Sequence, residues 1–412
     1  MTPRRRFWHV AGAGTAFQAG SAGVDSATVM SALVFQLTGS PLAVGAVTTI
    51  LRMGWLLPQI LIGFLAGRSG ASMPYYIVGA VGRAAAIALL AGLLWLGSQA
   101  GWSHAALGAG TLILWTLYAG LSGIVGVPYN DIVARSVPSE MRSRLLALRF
   151  FGGGLVALAV AVFADNLLHT LTFPLSFAAI LGVAAMLMGL SALVFLAMGE
   201  PERIVASKAP TRFSVYLREG IETFRTNSSF RRFVFAQWCG AGVMIAMPFY
   251  VVAAEGLGIG LENVALLLGA QTAGALVSNS LWGWWGDSRG KLSLMRLVAV
   301  LRMAPPVFLL VLLGVPTFAI PILPILILIF ILLGALANGL TIAVLGLLME
   351  ISPEDRRPAY SGYFNALTAP SYVLPLLGGV LFSLAGAASV FIVSLLAAAG
   401  QAAILQRMKT GD

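Results

Sequence analysis

The stretch Gly283-Trp284-Trp285-Gly286-Asp287-Ser288-Arg289-Gly290-Lys291 decides how the chain is read, because a degraded copy of it stands in the first half. That copy is Gly63-Phe64-Leu65-Ala66-Gly67-Arg68-Ser69-Gly70. Each follows an apolar run, and a second pair of loops repeats further on: Val137-Pro138-Ser139-Glu140-Met141-Arg142 and Ser352-Pro353-Glu354-Asp355-Arg356-Arg357. Corresponding loops at corresponding places mean that one unit has been duplicated in parallel.

Working outward, the apolar runs define the unit. The chain has 412 residues, 59% hydrophobic and only 10% charged, with mean hydropathy +0.92. Soluble domains carry about 25% charged residues, so this chain has too few to cover a water-facing surface. A transmembrane helix needs about 20 mostly apolar residues. Twelve such segments are expected near 9–36, 42–66, 74–97, 105–133, 143–165, 172–198, 229–253, 263–285, 292–313, 318–349, 359–383 and 388–406. The expected fold is therefore an all-α membrane protein with six spans in each half. The triplet Arg4-Arg5-Arg6 imitates the start of a signal peptide, but the apolar stretch behind it runs through Asp25 to about Leu37 and is read as an uncleaved first helix.

The net charge of +10, from 25 Lys and Arg against 15 Asp and Glu, is a topology signal and not a nucleic-acid signal. The basic residues fall in alternate loops, and the loops between carry only Asp165, Glu255 and Glu262. The positive-inside rule then puts both termini in the cytoplasm and the protein in the inner or plasma membrane. The expected division is 1–199 for the first bundle, 200–228 for a cytoplasmic linker and 229–412 for the second bundle. Within the linker Phe213, Leu217, Ile221 and Phe224 recur at helical spacing among charges, the pattern of an amphipathic interfacial helix. Cys239 is the single cysteine and His9, His104 and His169 lie far apart, so neither a disulfide nor a metal site is expected, and no cofactor motif occurs.

The first loop resembles the hallmark cytoplasmic loop of the major facilitator superfamily, roughly G-x-x-x-D-x-x-G-[RK], which Gly283, Asp287, Gly290 and Lys291 match. The first-half copy departs from it, with Gly67 in place of the acid and Ala71 in place of the base. A subgroup of the superfamily is also similar at Leu57-Pro58-Gln59 and at Arg356-Arg357-Pro358-Ala359-Tyr360-Ser361-Gly362-Tyr363-Phe364-Asn365, without implying a substrate. The resemblance implies two six-helix bundles related by a pseudo-twofold axis and rocking about a central site. It also implies that the first span lines the pathway, that the second can contribute, and that the third and ninth lie at the periphery. Gly283, Asp287, Arg289, Gly290, Lys291, Arg356 and Arg357 are then candidates for a conformational latch, in which the carboxylate pairs with arginines or caps a helix N-terminus. Trp282, Trp284 and Trp285 beside it read as an interface anchor.

Ionisable groups inside spans are costly and usually face a cavity or a partner. Five stand out: Asp25, Arg52, Arg83, Arg149 and Arg302. Asp25 in the first span and Arg52 near the middle of the second can form a buried pair. Arg83 and Arg302 occupy equivalent places in spans three and nine, and repetition in both halves favours a scaffold role, bonding to carbonyls. Gln59, Tyr118, Asn338 and Asn365 join Asp25, Arg52 and Arg149 as candidates for the solute pathway. Gly152-Gly153-Gly154, Pro248, Gly334 with Gly339, and Pro370 with Pro375 mark bends or close-packing positions.

The expected function is secondary transport by alternating access, since no Walker A sequence provides for ATP drive and no nucleophile–base constellation suggests an enzyme. One acid against four arginines favours a small organic anion as the solute, with Asp25 the candidate for proton coupling. Transport of amphiphiles, lipids or drugs is the first alternative, and a non-transporting assembly factor on the same fold the second. The expected partners are the solute and the lipid bilayer, with no nucleic acid, and the expected state is a monomer.

Overall fold

The computed structural model describes residues 2–69, 72–137, 139–200, 213–260, 263–314, 321–351 and 357–408. All regular structure among them is helical. The first half comprises α1 (Pro3–Ala22), α2 (Val29–Thr38), α3 (Pro41–Ser69), α4 (Met73–Gln99), α5 (His104–Ser136), α6 (Ser139–Thr170) and α7 (Leu175–Leu196). Then come α8 (Phe213–Thr226), α9 (Ser228–Val243), α10 (Phe249–Gly256), α11 (Val264–Ser288), α12 (Lys291–Leu301), α13 (Ala304–Gly314), α14 (Ile322–Ile351), α15 (Arg357–Thr368) and α16 (Leu374–Gln406).

Among the described residues, 10 stretches are long and apolar enough to cross a membrane. One of them, Tyr363–Gln406, has 44 residues. At 1.5 Å rise per residue it would reach roughly 66 Å, about twice the hydrocarbon core. Gly386 interrupts it with φ 77° and ψ 175°, a conformation that glycine adopts without a Cβ clash, so it supplies two spans. The broken pair α1–α2 supplies one more, which gives twelve. Outward faces are strongly apolar, with Val162 73%, Val277 78% and Leu384 83% exposed, a surface that only lipid can cover. The chain is an integral multi-pass membrane protein.

The helices group into two compact units, Met1–Ala209 with Gly260–Gly269, and Pro210–Ile259 with Ala270–Asp412. In the first, α4 packs on α5 and α7, α3 on α5, and α1 on α6 and α7. In the second, α9 packs on α16, and α12 on α14 and α16. The helix α8, expected within a separate linker, packs on α9 and α15. Gly220 lies against the Tyr363 ring and Phe224 meets Phe235 at 5.6 Å, while Ile221 of the expected apolar face stays exposed. Phe213 and Leu217 have side chains outside the described set.

Several spans are interrupted where the sequence carries helix breakers. Pro248 separates α9 from α10, Pro370 lies in a short 3-10 segment between α15 and α16, and Pro375 stands in the first turn of α16. The Gly152-Gly153-Gly154 run does not bend α6. It lets α6 approach α1, with Gly152 beside Thr15 and Gly153 beside Gln18. The first span was expected to be continuous, yet it stops at Ala22 and restarts at Val29. Gly23, Asp25, Ser26 and Thr28 are residues that favour helix ends, and that signal outweighed the apolar run around it.

Candidate functional site

A cavity of about 540 Å³ lies inside the first unit. Its wall is drawn from six helices of that unit and from the break between α1 and α2, with residues at helical spacing on several of them. Gly14, Phe17, Ser21 and Val24 form a stripe along α1 and its end, and Tyr118, Ser122, Gly126 and Tyr129 a stripe along α5. Arg52 and Trp55 come from α3, and Tyr76 and Arg83 from α4, two turns apart. Arg149 enters from α6 and Asp25 from the break between α1 and α2. The cavity therefore holds three arginines and one carboxylate, between aromatic and small apolar surfaces.

Asp25 is engaged by its own chain. Its Oδ1 accepts from the backbone N–H of Ala27 (3.0 Å), the N–H of Thr28 (2.9 Å) and the hydroxyl of Thr28 (2.8 Å). The carboxylate thereby satisfies donors that the helix break would leave open at the start of α2. Asp25 and Arg52 line the same cavity, but they form no ion pair with each other among the described residues. Capping has taken the place of the expected pair.

Arg149 donates from Nη1 to the Tyr129 hydroxyl at 3.2 Å, and its guanidinium lies 5.2 Å from that ring's centre. The stem of Arg149 runs across Gly14, where an added Cβ would stand 2.7 Å from Cγ and Cδ. Tyr129 in turn rests against the fully buried Phe195, on which Tyr76 also stacks at 4.2 Å. Tyr118 is stacked at 4.9 Å on Trp115, whose indole N–H donates to the Val47 carbonyl at 2.8 Å. These supports fix the aromatic wall from behind.

Arg83 differs from the expectation for a peripheral scaffold position. It is only 5% exposed, faces the cavity, and lays its guanidinium 3.9 Å over the centre of the Phe17 ring. No described protein group accepts a hydrogen bond from it, and its Nε is wholly buried. The reason it points inward is packing: α4 sits between α5 and α7, and residue 83 lies on the face turned to α1. Arg302, at the equivalent place in the second unit, donates to Gln401 Oε1 and to the Gly240 carbonyl, both at 2.8 Å.

The other candidates lie elsewhere. Gln59 is not on the cavity wall; its amide turns back to the Trp55 carbonyl at 2.9 Å and packs against Gly126. Asn338 belongs to the second unit and donates to the Ala275 carbonyl (3.0 Å) and to Asn279 Oδ1 (3.1 Å). Asn365, also in the second unit, is exposed on α15. At the second-half loop, Gly290 has φ +85° and joins α11 to α12, Arg289 lies 4.3 Å over the Trp285 ring, and the Lys291 stem packs on Gly346. Gly283 has open space around it. Arg356 lies outside the described residues, as do the side chains of Asp287 and Arg357. Trp284 is 57% exposed, as an anchor would be, but Trp282 is buried and donates to the Ala335 carbonyl at 2.8 Å.

Sequence reasoning missed Phe17, Trp55, Tyr76 and Tyr129 in the cavity. The first and last sit on the stripes named above, and that periodicity was the available signal. It also missed a cluster where the first-half loop lacks its acid. Glu200 Oε1 accepts from the N–H of Ser72 (2.8 Å) and Met73 (3.4 Å) at the start of α4, and lies 3.7 Å from Arg135. Arg135 also pairs with Asp131, which accepts from the Ser72 hydroxyl.

Residues 239–405 match the sequence model of the Major Facilitator Superfamily. No curated protein matches the sequence. Among solved structures, a single-residue mutant of the nucleoside transporter NupG aligns with TM-score 0.71 at 12% identity, covering 98% of each chain. A POT family transporter in complex with 5-aminolevulinic acid aligns with TM-score 0.74 at 11% identity, covering 98% of this chain and 96% of that one. An auto-inhibited POT family peptide transporter gives 0.74 at 11% identity over 99% and 98%. At such identities the likeness establishes a common fold over the whole chain.

Proposed function

We propose that this chain is a secondary transporter of the major facilitator superfamily, whose sequence model matches residues 239–405, and that it moves a small organic anion by alternating access, with the cavity of the first unit as its solute site. One observation carries the reading. Three arginines share a cavity with a single carboxylate, and that carboxylate already accepts three hydrogen bonds from its own chain. Arg83 is buried and Arg149 half-buried, so an anion between them gains more there than it would in water. The volume, about 540 Å³, suits a small organic molecule, and aromatic walls suit an apolar body better than a heavily hydroxylated sugar. NupG and the POT transporter with 5-aminolevulinic acid also handle small organic solutes.

The test is a thermal-shift comparison of solutes with one skeleton and three charges: benzoate, benzamide and benzylamine. Ligands that bind the folded state raise its stability by mass action. The acid is expected to raise Tm more than the amide or the amine. A larger shift with benzylamine would reverse the assigned charge of the solute.

Asp25 supplies a route for proton coupling. Protonation would weaken its hold on the N–H groups of Ala27 and Thr28, and so loosen the joint between α1 and α2. Asp25→Asn keeps an acceptor for those donors but cannot titrate. In proteoliposomes this variant is expected to retain solute exchange while losing uptake driven by a pH gradient. Gradient-driven uptake at the wild-type level would remove Asp25 from the coupling step.

A further inference from the structure

We infer that Arg83 is the residue that grips the acidic group of the solute, and that the solute is an aromatic or similarly planar organic acid bearing a carboxylate or a phosphate. The inference deepens the reading of this cavity as an anion site and rests on it.

Arg83 is buried and lines the cavity, and no described protein group accepts any of its N–H donors. A guanidinium carries five such donors in one plane and cannot shed its charge, so burial without an acceptor is unfavourable. The second unit provides an internal control. Arg302 occupies the equivalent place and gives its donors to Gln401 and to the Gly240 carbonyl. The arginine at this position thus has protein acceptors in the second unit and, among the described residues, none in the first.

The surroundings define which acceptor fits Arg83. Phe17 covers one face of the Arg83 guanidinium at 3.9 Å. With that face stacked, binding is left to the in-plane N–H groups, which match the paired oxygens of a carboxylate or two oxygens of a phosphate. Arg149, whose Nε also lacks an acceptor, lines the same cavity and adds a second cation for the same group. Trp55, 44% exposed, offers a flat surface on the wall, and the rims of Tyr118 and Tyr129 join it, which favours a planar body behind the acid. Among the described lining residues the one carboxylate is Asp25, and its Oδ1 is bonded to Ala27 and Thr28 and not to Arg83.

Isothermal titration of the purified full-length protein tests the assignment with benzoate, phenyl phosphate, benzamide and inorganic phosphate. Benzoate or phenyl phosphate is expected to bind at least tenfold more tightly than benzamide and inorganic phosphate, and the stronger of the two identifies the acidic group. Arg83→Gln is expected to weaken that ligand tenfold or more, and Arg83→Lys to give an intermediate value because it keeps the charge and loses the fork. Wild-type affinity in a folded Arg83→Gln protein overturns the assignment. If Arg52→Gln or Arg149→Gln abolishes binding while Arg83→Gln does not, the cavity remains an anion site and only the role of Arg83 falls. If no organic anion binds the wild type, the reading of the cavity falls as well. Phe17→Leu is the second arm should Arg83→Gln not fold: it removes the stacking surface, is expected to weaken binding several-fold, and at wild-type affinity overturns the assignment too.

Discussion

Two arginines at equivalent positions carry opposite consequences for stability. Arg302 is 8% exposed and bonded to Gln401 and Gly240, so removing it strands a buried side-chain acceptor and a buried carbonyl. Leaving such groups unsatisfied costs about 1–3 kcal/mol each. Among the described residues Arg83 has no protein acceptor to strand, and an arginine at a helix centre in the membrane is unfavourable by about 2.5–3.5 kcal/mol on insertion scales. Arg302→Gln should therefore lower the Tm of the ligand-free protein by several degrees, whereas Arg83→Gln should leave it unchanged or raise it. Thermal unfolding of the two variants side by side checks this, and an equal loss in both would make Arg83 structural. All five ionisable positions were legible in the sequence, because charge inside an apolar run announces itself. Their partners were not. Gln401 and Gly240 stand 99 and 62 residues from Arg302, a pairing fixed by helix packing that no local pattern encodes.

At the scale of helices, contact between spans depends on glycine. A Cβ on Gly334 of α14 would overlap the Gln271 carbonyl of α11, and one on Gly274 would overlap the Ile331 carbonyl. The first unit repeats the device where α3 meets α5: a Cβ on Gly54 would lie 2.6 Å from Ala119 Cβ and 2.9 Å from the Ala119 carbonyl carbon. Backbones approach this closely only between small residues, and membrane helices gain packing and weak hydrogen bonds from it. Gly334→Ala should cost more than about 2 kcal/mol, since rigid backbone cannot yield as a flexible side chain would. Gly182→Ala on α7, where nothing lies within 4 Å, should be neutral or stabilising by up to about 1 kcal/mol. Comparing their Tm values, or their recovery as folded protein, decides the point. The sequence singled out Gly334 without distinguishing a bend from a crossing, because that distinction resides in the neighbouring helix. The break in the first span was available in Gly23, Asp25, Ser26 and Thr28, but a hydropathy window averages over these four residues between two apolar runs.

For the whole molecule, duplication and hydropathy carried the fold from sequence to structure. The spans expected from apolar runs correspond to the helices, including the two that meet near Gly386, because lipid demands long apolar segments with internally bonded backbones. The cavity was half legible. Asp25, Arg52, Arg149 and Tyr118 meet in one cavity, while Gln59, Asn338 and Asn365 lie outside it, since a polar residue in a span can equally bond its own helix or its neighbour. Organic-anion transport through this cavity is most directly tested by counterflow in proteoliposomes at neutral pH without a pH gradient. Vesicles loaded with one of a set of impermeant anions (aryl dicarboxylates, aryl sulfonates and sugar phosphates) are diluted into trace radiolabelled anion of the same kind. The wild-type protein should show a transient accumulation of label for an aryl anion, and Arg149→Gln should abolish it without loss of folded protein. Counterflow of neutral or cationic solutes with none for any anion, or anion counterflow undiminished in Arg149→Gln, would contradict the account.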